Sequence, residues 1–404
     1  MKPHASAPEH LHTYSESILL SILDNDFYKF TMQQGVIKLF PEAGARYRFI
    51  NRGKHSFPPG FSEALRRAVD SMASLQLTRA EKKFLQENCP YLDPVYLDFL
   101  EGYRYDPSEV QIDEAEGELN VRVEGLWYRT ILWEVPLMSL ICELFYKLNH
   151  ETRMSDEEVI DRTREKIEKY SQLQITVAEF GTRRRHSYEV HRLVLRSLSQ
   201  SGGNTFIGTS NVHLAMLHQI KPIGTHAHEW FMYHAAHYGF KMANSLGLEN
   251  WVRIYRGDLG IALSDTYTTE VFFRQFDKMF SKLFDGVRHD SGDPLLFAQR
   301  VIEHYRQMGI DPLTKTIIFS DGLNYEKVAR IAEYCRGKIG MSFGVGTSLT
   351  NDAGPAPMNI VIKMVEARPD NDEWLPVIKL SDEPGKHTGT EKMISLAKTV
   401  LHID

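Results

Sequence analysis

The sequence predicts an α/β fold: an irregular parallel α/β barrel of about seven strand–helix units, with an N-terminal α+β domain completed by the C-terminal segment. Short apolar runs alternate with helical patterns from about residue 155, polar residues follow each run, and the first 150 residues lack this alternation. Such alternation is typical of parallel sheets with crossover helices. Seven units in this space fit a barrel better than an open sheet, although periodicity alone leaves a doubly wound sheet open.

Each predicted unit pairs an apolar run with a helical pattern. The first helix begins after Ser155, because Glu158 stands three residues further on and completes a capping-box pattern. Runs this short, bounded by helical patterns, are typical of buried parallel strands. The predicted strands are 175–180, 205–208, 222–224, 260–263, a short run at 287, 316–319 and 339–343.

The chain divides into three segments around this barrel. Residues 1–150 form the N-terminal α+β domain, 151–358 form the barrel, and 359–404 form a segment that returns to the N-terminal domain. The predicted helices of the first segment are 18–40 and 62–75, and its predicted strands are 47–51 and 119–124. The predicted strands of the last segment are 360–365 and 377–380.

Composition and charge exclude several classes of protein. The 404 residues are 42% hydrophobic with a formal net charge of −6, which is ordinary for a globular protein and argues against binding to nucleic acid. Three scattered cysteines form no disulfide framework or metal motif and fit the reducing cytoplasm. Residues 1–16 lack the apolar segment of a signal peptide, and the apolar stretch 131–146 is too short and too charged to cross a membrane.

Polar residues follow every predicted strand of the barrel. The loops concerned are 180–185, 208–211, 224–229, 264–267, 288–294, 320–322 and 344–348. Ligands bind at the carboxyl ends of the strands in parallel α/β folds. One polar loop is ordinary turn chemistry, but seven together, with arginine and histidine among them, predict the rim of an active site.

Several of these loops are suited to phosphate. Glycines at 322, 344 and 346 offer backbone N–H groups to an anion, although they could equally serve tight turns. Arg183 begins a run of three arginines that suits bidentate phosphate contacts or a solvated surface. Asp290 and Asp293 could bind ribose hydroxyls or Mg²⁺, but Asp293 precedes Pro294 and could instead cap a helix.

Two histidines stand at the third strand end. His226 and His228 could face one side of the chain there, which permits a zinc site and hence a metal-dependent hydrolase. The H-E-x-x-H zinc motif is absent, since Met232 occupies the place of its second histidine. A histidine followed by Glu229 on a rim suited to phosphate is a better candidate for an acid, a base or a nucleophile.

Taken together, these motifs resemble those of the bacterial-type nicotinate phosphoribosyltransferases, over nearly the whole chain after about Tyr14. The resemblance is carried by Asp26-Phe27-Tyr28-Lys29, Trp133-Glu134-Val135-Pro136, Phe180-Gly181-Thr182-Arg183-Arg184-Arg185, Gly208-Thr209-Ser210-Asn211, Gly224-Thr225-His226-Ala227-His228-Glu229-Trp230, Arg288-His289-Asp290-Ser291-Gly292-Asp293-Pro294 and Phe343-Gly344-Val345-Gly346-Thr347.

This resemblance implies an enzyme of NAD salvage that joins nicotinate to phosphoribosyl pyrophosphate and releases pyrophosphate. It implies coupling to ATP hydrolysis through a phosphorylated His228, with Asp265 orienting the imidazole and Glu229 beside it. The departing pyrophosphate needs its charge neutralised, so we expect magnesium as the cofactor, with Asp293 as its ligand.

The resemblance also implies how the substrates bind. Phe180 corresponds to an aromatic that stacks on the pyridine ring, and Tyr28 to an opposing aromatic from the second subunit of a homodimer. Arg288 corresponds to a residue near the substrate carboxylate, and Asp290 to a ligand of the ribose hydroxyls. The other implied substrate contacts are Arg183, Thr209, Ser210, Gly322, Gly344, Gly346 and Thr347.

The related nicotinamide phosphoribosyltransferases are the closest alternative. Their counterpart of Ser210 resembles an aspartate, which would accept a hydrogen bond from an amide and repel the carboxylate of nicotinate. A serine hydroxyl can donate to that carboxylate, so Ser210 favours nicotinate.

Overall fold

The computed structural model describes residues 18–115, 117–369, 373–383 and 385–403. Residues 1–16, which we judged to lack a signal peptide, lie outside these ranges.

The helices are α1 (Phe27–Leu39), α2 (Phe61–Ser71), α3 (Arg79–Asn88), α4 (Pro94–Gly102), α5 (Trp127–Thr130), α6 (Glu134–Leu148), α7 (Asp156–Gln172), α8 (Tyr188–Ser201), α9 (Val212–His218), α10 (His228–Tyr238), α11 (Ala243–Tyr255), α12 (Thr269–Gln275), α13 (Lys278–Leu283), α14 (Pro294–Gln307), α15 (Tyr325–Cys335), α16 (Thr347–Thr350) and α17 (Glu391–Leu401). The strands are β1 (Gly44–Asn51), β2 (Val110–Ala115), β3 (Glu118–Leu126), β4 (Val177–Glu179), β5 (Phe206–Thr209), β6 (Arg256–Leu259), β7 (Ile261–Leu263), β8 (Gly286–His289), β9 (Thr316–Phe319), β10 (Gly340–Val345), β11 (Ile360–Arg368) and β12 (Leu375–Pro376).

A five-stranded antiparallel sheet joins the two ends of the chain, in the order β12-β11-β1-β3-β2. Strand β11 pairs along the whole of β1, from Gly44 opposite Arg368 to Asn51 opposite Ile360. The strand predicted from residue 360 therefore lies in the N-terminal sheet. The strand predicted at 377–380 is wrong, because Lys379 makes only an isolated bridge with Thr388.

A second sheet of parallel strands confirms the predicted α/β class. Its order is β5-β4-β10-β9-β8-β7, and it contains six of the seven predicted barrel strands. The remaining one, at 222–224, forms a single bridge between Pro222 and Thr209. This segment lies between β5 and β7, where the Thr225 hydroxyl donates to the carbonyl of Ile261 over 3.3 Å. The barrel is irregular because the segment 222–224 forms almost no β-ladder hydrogen bonds with its neighbouring strands.

The segment before α1 fastens the N-terminal domain to the barrel. Arg185 donates two hydrogen bonds, of 2.6 and 2.8 Å, to the buried carboxylate of Asp24. The backbone N–H of Phe27 donates to the carbonyl of Ser210 over 2.7 Å. Helix α1 therefore begins at Phe27 and not at the predicted residue 18, since the residues before it bind the barrel instead of each other.

Helix α10 is held by aromatic packing between the two domains. The ring of Tyr233 stacks on Trp127 of α5 with centroids 4.4 Å apart, and the Trp230 indole donates to the carbonyl of Gly247 over 2.9 Å. Aromatic side chains of this kind bury about 150–250 Å² each. The N-terminus of α10, where His228 lies, is thus rigidly supported. Among the described residues, we find no helix with the length and apolar character that a bilayer crossing demands.

Candidate active site

A cavity of about 120 Å³ opens at the carboxyl ends of the barrel strands. Tyr28 and Phe180 line this cavity together with Arg183, Arg288 and Ser210. Two aromatic rings with two cations are suited to a small, flat anion. The structure therefore brings these five predicted substrate residues together at one place.

Two glycines give the aromatic residues their place in this cavity. A Cβ atom on Gly344 would lie 2.3 Å from the ring of Phe180, and one on Gly224 would lie 2.8 Å from the backbone nitrogen of Tyr28. Gly344, which we expected in a phosphate cradle, thus lies on the wall of the aromatic cavity and makes room for Phe180.

Tyr28 reaches the cavity from the same chain as the barrel. We expected a second subunit to supply this aromatic, and the structure differs. The reason is the attachment of the segment before α1: the Ser210 hydroxyl donates to the Asp26 carboxylate over 2.6 Å, two residues before Tyr28. The aromatic pair is therefore assembled within one chain. The same bond shows that the Ser210 hydroxyl, expected to donate to the substrate, donates here to Asp26.

Charged groups converge on His228 beside this cavity. Its Nε2 lies 2.9 Å from the Asp290 carboxylate, 2.8 Å from Nζ of Lys379 and 3.8 Å from the Asp265 carboxylate. Its Nδ1 lies 3.0 Å from the hydroxyl of Thr266. Nε2 is thus the nitrogen that faces the charged groups, and the hydroxyl fixes the plane of the ring.

The pKa values of His228 and of its two carboxylate neighbours are all lowered. Burial, followed by the charge of Lys379, lowers the pKa of His228 below its ordinary value despite two nearby carboxylates. Burial alone would raise the pKa of Asp265, but His228 and Lys379 lower it further than burial raises it. Arg288 is the main group that holds the pKa of Asp290 well below its usual range, against burial. A lowered pKa favours the neutral imidazole, and this is the form suited to nucleophilic chemistry.

His226 faces away from this cluster. Its Nε2 accepts a hydrogen bond of 3.1 Å from the backbone N–H of Leu263, and its ring packs against Trp251 with centroids 4.6 Å apart. Burial lowers the pKa of His226 to about 3, so it is neutral and structural. Among the described residues, the group of side chains close enough to hold a metal contains His228 but not His226.

Glu229 does not contact the imidazole of His228, contrary to our assignment of a catalytic role. Successive residues of a helix point about 100° apart, as the 3.6-residue turn requires. With His228 directed at the barrel rim, Glu229 points into the N-terminal domain, where it lies 2.6 Å from Nζ of Lys29. Thr209 is also placed differently from expectation, because it is fully buried and its hydroxyl donates to Glu179 and not to the cavity.

Asp293 caps a helix. One of its carboxylate oxygens accepts hydrogen bonds from the backbone N–H groups of Leu295 and Leu296, over 2.8 and 2.9 Å, at the start of α14. Of the two alternatives that the sequence left open, the structure favours the cap over the magnesium ligand. Within the described residues, the side chains placed closely enough to hold a metal are instead His228, Asp265 and Asp290, whose ligand atoms all lie within 4.8 Å of one another.

The remaining predicted phosphate residues lie on two neighbouring loops. Gly322 has a φ of 53°, a conformation that favours glycine, and its carbonyl accepts a hydrogen bond of 3.0 Å from Lys327. Gly346 precedes Thr347, the first residue of α16. The hydroxyl of Ser348 donates to the carbonyl of Leu323 over 2.6 Å and joins the two loops.

Sequence reasoning missed several residues of the site. Lys379 belongs to the C-terminal segment, for which we expected only a strand, and it contacts both His228 and Asp265. Thr266 was part of a predicted strand end but received no role. Asp26 and Glu134 belong to the motifs that carry the resemblance, but we had predicted no role for either residue.

Comparison with known proteins gives the same picture across the chain. The sequence profile of the nicotinate phosphoribosyltransferase (NAPRTase) family matches residues 175–404, and that of its N-terminal domain matches residues 23–142. The nicotinate phosphoribosyltransferase of Chromohalobacter salexigens is 65% identical over 384 residues, covering 95% of this chain and 98% of the relative. That of Desulforapulum autotrophicum is 48% identical over 386 residues, covering 95% and 99%.

Solved structures of nicotinate phosphoribosyltransferases are also similar to this chain. The crystal structure of nicotinate phosphoribosyltransferase from Porphyromonas gingivalis has a TM-score of 0.93 at 46% identity and covers 95% of this chain and 100% of that chain. The one from Vibrio cholerae has a TM-score of 0.89 at 32% identity, with 97% and 95% covered. The chain therefore belongs to the nicotinate phosphoribosyltransferase family.

Proposed function

We propose that the protein joins nicotinate to phosphoribosyl pyrophosphate, forming nicotinate mononucleotide and pyrophosphate in NAD biosynthesis. The observation that carries this proposal is the cavity in which Tyr28 and Phe180 meet Arg183 and Arg288. We place the pyridine ring against these two aromatic rings, and a guanidinium is the natural partner of its carboxylate. The names of the relatives support the same reaction.

The reaction needs positioning more than proton transfer. The pyridine nitrogen of nicotinate carries a lone pair, which forms the new bond to C1 of the ribose as the bond from C1 to the pyrophosphate oxygen breaks. Pyrophosphate leaves with the electron pair, and no proton has to be removed from the nucleophile. The protein's part is to align the two substrates and neutralise the leaving charge. We assign the 5′-phosphate to the loops of Gly322, Gly346 and Thr347, and the ribose hydroxyls to Asp290.

We further propose that ATP phosphorylates His228. Nε2 forms a bond to the γ-phosphorus, the bond between that phosphorus and the bridging oxygen breaks, and ADP leaves with the electron pair. The lowered pKa of His228 supports this role, because the neutral ring keeps its lone pair. Lys379, 2.8 Å from Nε2, is placed to neutralise the transferred phosphoryl group, while Thr266 and Asp265 hold the ring and the lysine.

Magnesium is the cofactor that we propose. The donor set of Asp265 and Asp290 fits this ion, which prefers oxygen ligands and takes one or two carboxylates together with substrate phosphates. When bound, Mg²⁺ supplies charge neutralisation for the phosphates. The three free, buried cysteines support a cytoplasmic location for the reaction.

Product analysis tests the proposed reaction. Purified protein is incubated with nicotinate, phosphoribosyl pyrophosphate, Mg²⁺ and ATP, and nicotinate mononucleotide is measured by chromatography. We expect product in the wild type and a much higher KM for nicotinate in Phe180→Ala, because the ring loses its stacking partner. Absence of product, or an equal preference for nicotinamide, would contradict the proposal.

A further inference from the structure

Lys29 is a fully buried lysine that lies between two carboxylates. Its Nζ is 2.6 Å from Glu134 Oε2 and 2.6 Å from Glu229 Oε1, and its side chain has no exposed surface. A buried ammonium group is costly unless closely paired, so two short ion pairs hold it firmly. Lys29 belongs to the motif Asp26-Phe27-Tyr28-Lys29, and Glu134 belongs to Trp133-Glu134-Val135-Pro136. Neither residue has a role in the proposed reaction.

Arg183 is held much more loosely by its own carboxylate neighbours. Its Nη1 lies 3.5 Å from Glu134 Oε1, and its Nε lies 3.7 Å from the Asp26 carboxylate. Charge-assisted hydrogen bonds are usually about 2.7–2.9 Å long, so neither contact is fully formed. The Arg183 side chain is also 43% exposed, on the wall of the aromatic cavity. Its donors therefore remain available to a ligand.

The looseness of Arg183 follows from the way Glu134 divides its two oxygens. One oxygen forms the short pair with Lys29, and the other makes only the long contact with Arg183. Burial raises the pKa of Glu134, but Lys29 first and Arg183 second lower it, and the balance keeps it below the usual value. Lys29 is therefore the main counter-ion of Glu134, and Arg183 is the minor one.

We propose that Lys29 is a positioning residue: by satisfying Glu134, it leaves Arg183 free to bind the anionic group of a substrate in the cavity. This inference rests on the proposed function. The anionic group can come from the carboxylate of nicotinate or from a phosphate of phosphoribosyl pyrophosphate, since a guanidinium binds both.

The Lys29→Met variant distinguishes a positioning role of Lys29 from a catalytic role. Without the ammonium group, Glu134 keeps one remaining cation, and Arg183 closes onto it in a tight pair. A substrate anion must then break that pair before it binds. We expect the KM of the affected substrate to rise about tenfold or more with kcat changed far less, because Lys29 does not touch the reacting atoms. The KM values for nicotinate and for phosphoribosyl pyrophosphate, measured separately, identify which anion Arg183 binds.

The double variant Lys29→Met with Glu134→Gln tests whether the Glu134 carboxylate causes the rise in KM. Removing the carboxylate removes the competitor for Arg183, so the KM should return to within about threefold of the wild type. A lysine that served only to stabilise the fold would lower the melting temperature of Lys29→Met without raising the KM for a substrate anion. Circular dichroism and thermal unfolding confirm that each variant is folded before its kinetics are measured.

The outcomes are distinct. A raised KM in Lys29→Met that recovers in the double variant supports the inference. Unchanged KM values in folded Lys29→Met, or no recovery in the double variant, overturn it. If Lys29→Met does not fold, Glu134→Gln alone carries the test: a KM at or below the wild-type value is expected, and a tenfold rise overturns the inference. A wild-type protein that forms no nicotinate mononucleotide in the same assay refutes the proposed function itself.

Discussion

At the scale of single residues, the charged groups around His228 Nε2 determine what the imidazole can do. Lys379, Asp265 and Asp290 all lie within 4 Å of this nitrogen, and Thr266 holds the opposite side of the ring. The sequence placed His228 on an active-site rim, and the resemblance selected it over His226. Neither the sequence pattern nor the resemblance predicted Lys379, because this residue comes after two strands that belong to the N-terminal sheet.

The pH dependence of activity tests this arrangement. As the pH falls through the pKa of His228, the imidazolium forms, the lone pair is lost and the rate should fall. Lys379 lowers this pKa, whereas Asp265 and Asp290 raise it. Lys379→Met should therefore raise the pKa and move the acid limb of the profile to higher pH. Lys386→Met, which removes a lysine paired with Asp321, is the matched control and should leave the acid limb in place. An unmoved acid limb in Lys379→Met would show that His228 does not limit the rate there.

Ser210 allows a test of substrate choice. Its hydroxyl donates to Asp26, so Ser210→Asp would put a second carboxylate against the first, on the cavity wall where we propose that the substrate anion binds. We expect the KM for nicotinate to rise at least tenfold and the ratio of kcat/KM for nicotinamide over nicotinate to increase. Ser210→Ala is the control, since it removes the hydroxyl without adding charge. Identical kinetics of Ser210→Asp and wild type for both substrates would refute this assignment.

At the scale of elements, local sequence signals were reliable where local interactions decide the structure. The capping box of Ser155 and Glu158 is present at the start of α7, and six of seven predicted strands lie in the parallel sheet. The helix predicted from residue 18 begins only at Phe27, since Asp24 binds an arginine that is distant in sequence. Such long-range ion pairs leave no periodic pattern, so the sequence could not reveal them.

The N-terminus of α14 gives a prediction at this scale. Replacing Asp293 by alanine removes the cap and should lower the free energy of unfolding by about 0.5–2 kcal/mol. The dependence of activity on magnesium concentration should stay as in the wild type, because the carboxylate caps the helix. Asp293→Asn, which can still cap, is the control for stability. A strong increase in the magnesium requirement of both variants would restore the original assignment of Asp293 as a ligand.

At the scale of the whole molecule, described residues from the N-terminal domain and from the C-terminal segment both lie at the mouth of the barrel. The N-terminal segment brings Tyr28 to the cavity, and the C-terminal segment brings Lys379 to His228. The backbone N–H of Leu380 donates to the carbonyl of Thr266 over 2.8 Å and fixes that second contribution. The resemblance predicted the reaction and most of the cavity. It did not predict that one chain supplies both aromatic residues, because a motif records which residues are present and not which copy contributes them.

Mixing two variants, each impaired at a different residue of the site, tests whether the site is complete within one chain. Tyr28→Ala and His228→Asn are co-expressed with different affinity tags and purified through both tags. If active sites were shared between subunits, a mixed pair would contain one intact site and regain activity. We expect no more activity than the two variants show separately. Substantial recovery would establish that Tyr28 acts on the barrel of another copy.

Mapping the phosphate on the protein tests the central claim most directly. Wild-type protein is incubated with Mg²⁺ and ATP labelled in the γ-phosphate, digested under alkaline conditions and analysed by mass spectrometry. We predict one acid-labile phosphate on His228, which is discharged when nicotinate and phosphoribosyl pyrophosphate are added, and no label in a folded His228→Asn variant. Label that persists in His228→Asn, or that stays on His228 while product forms, would contradict the account.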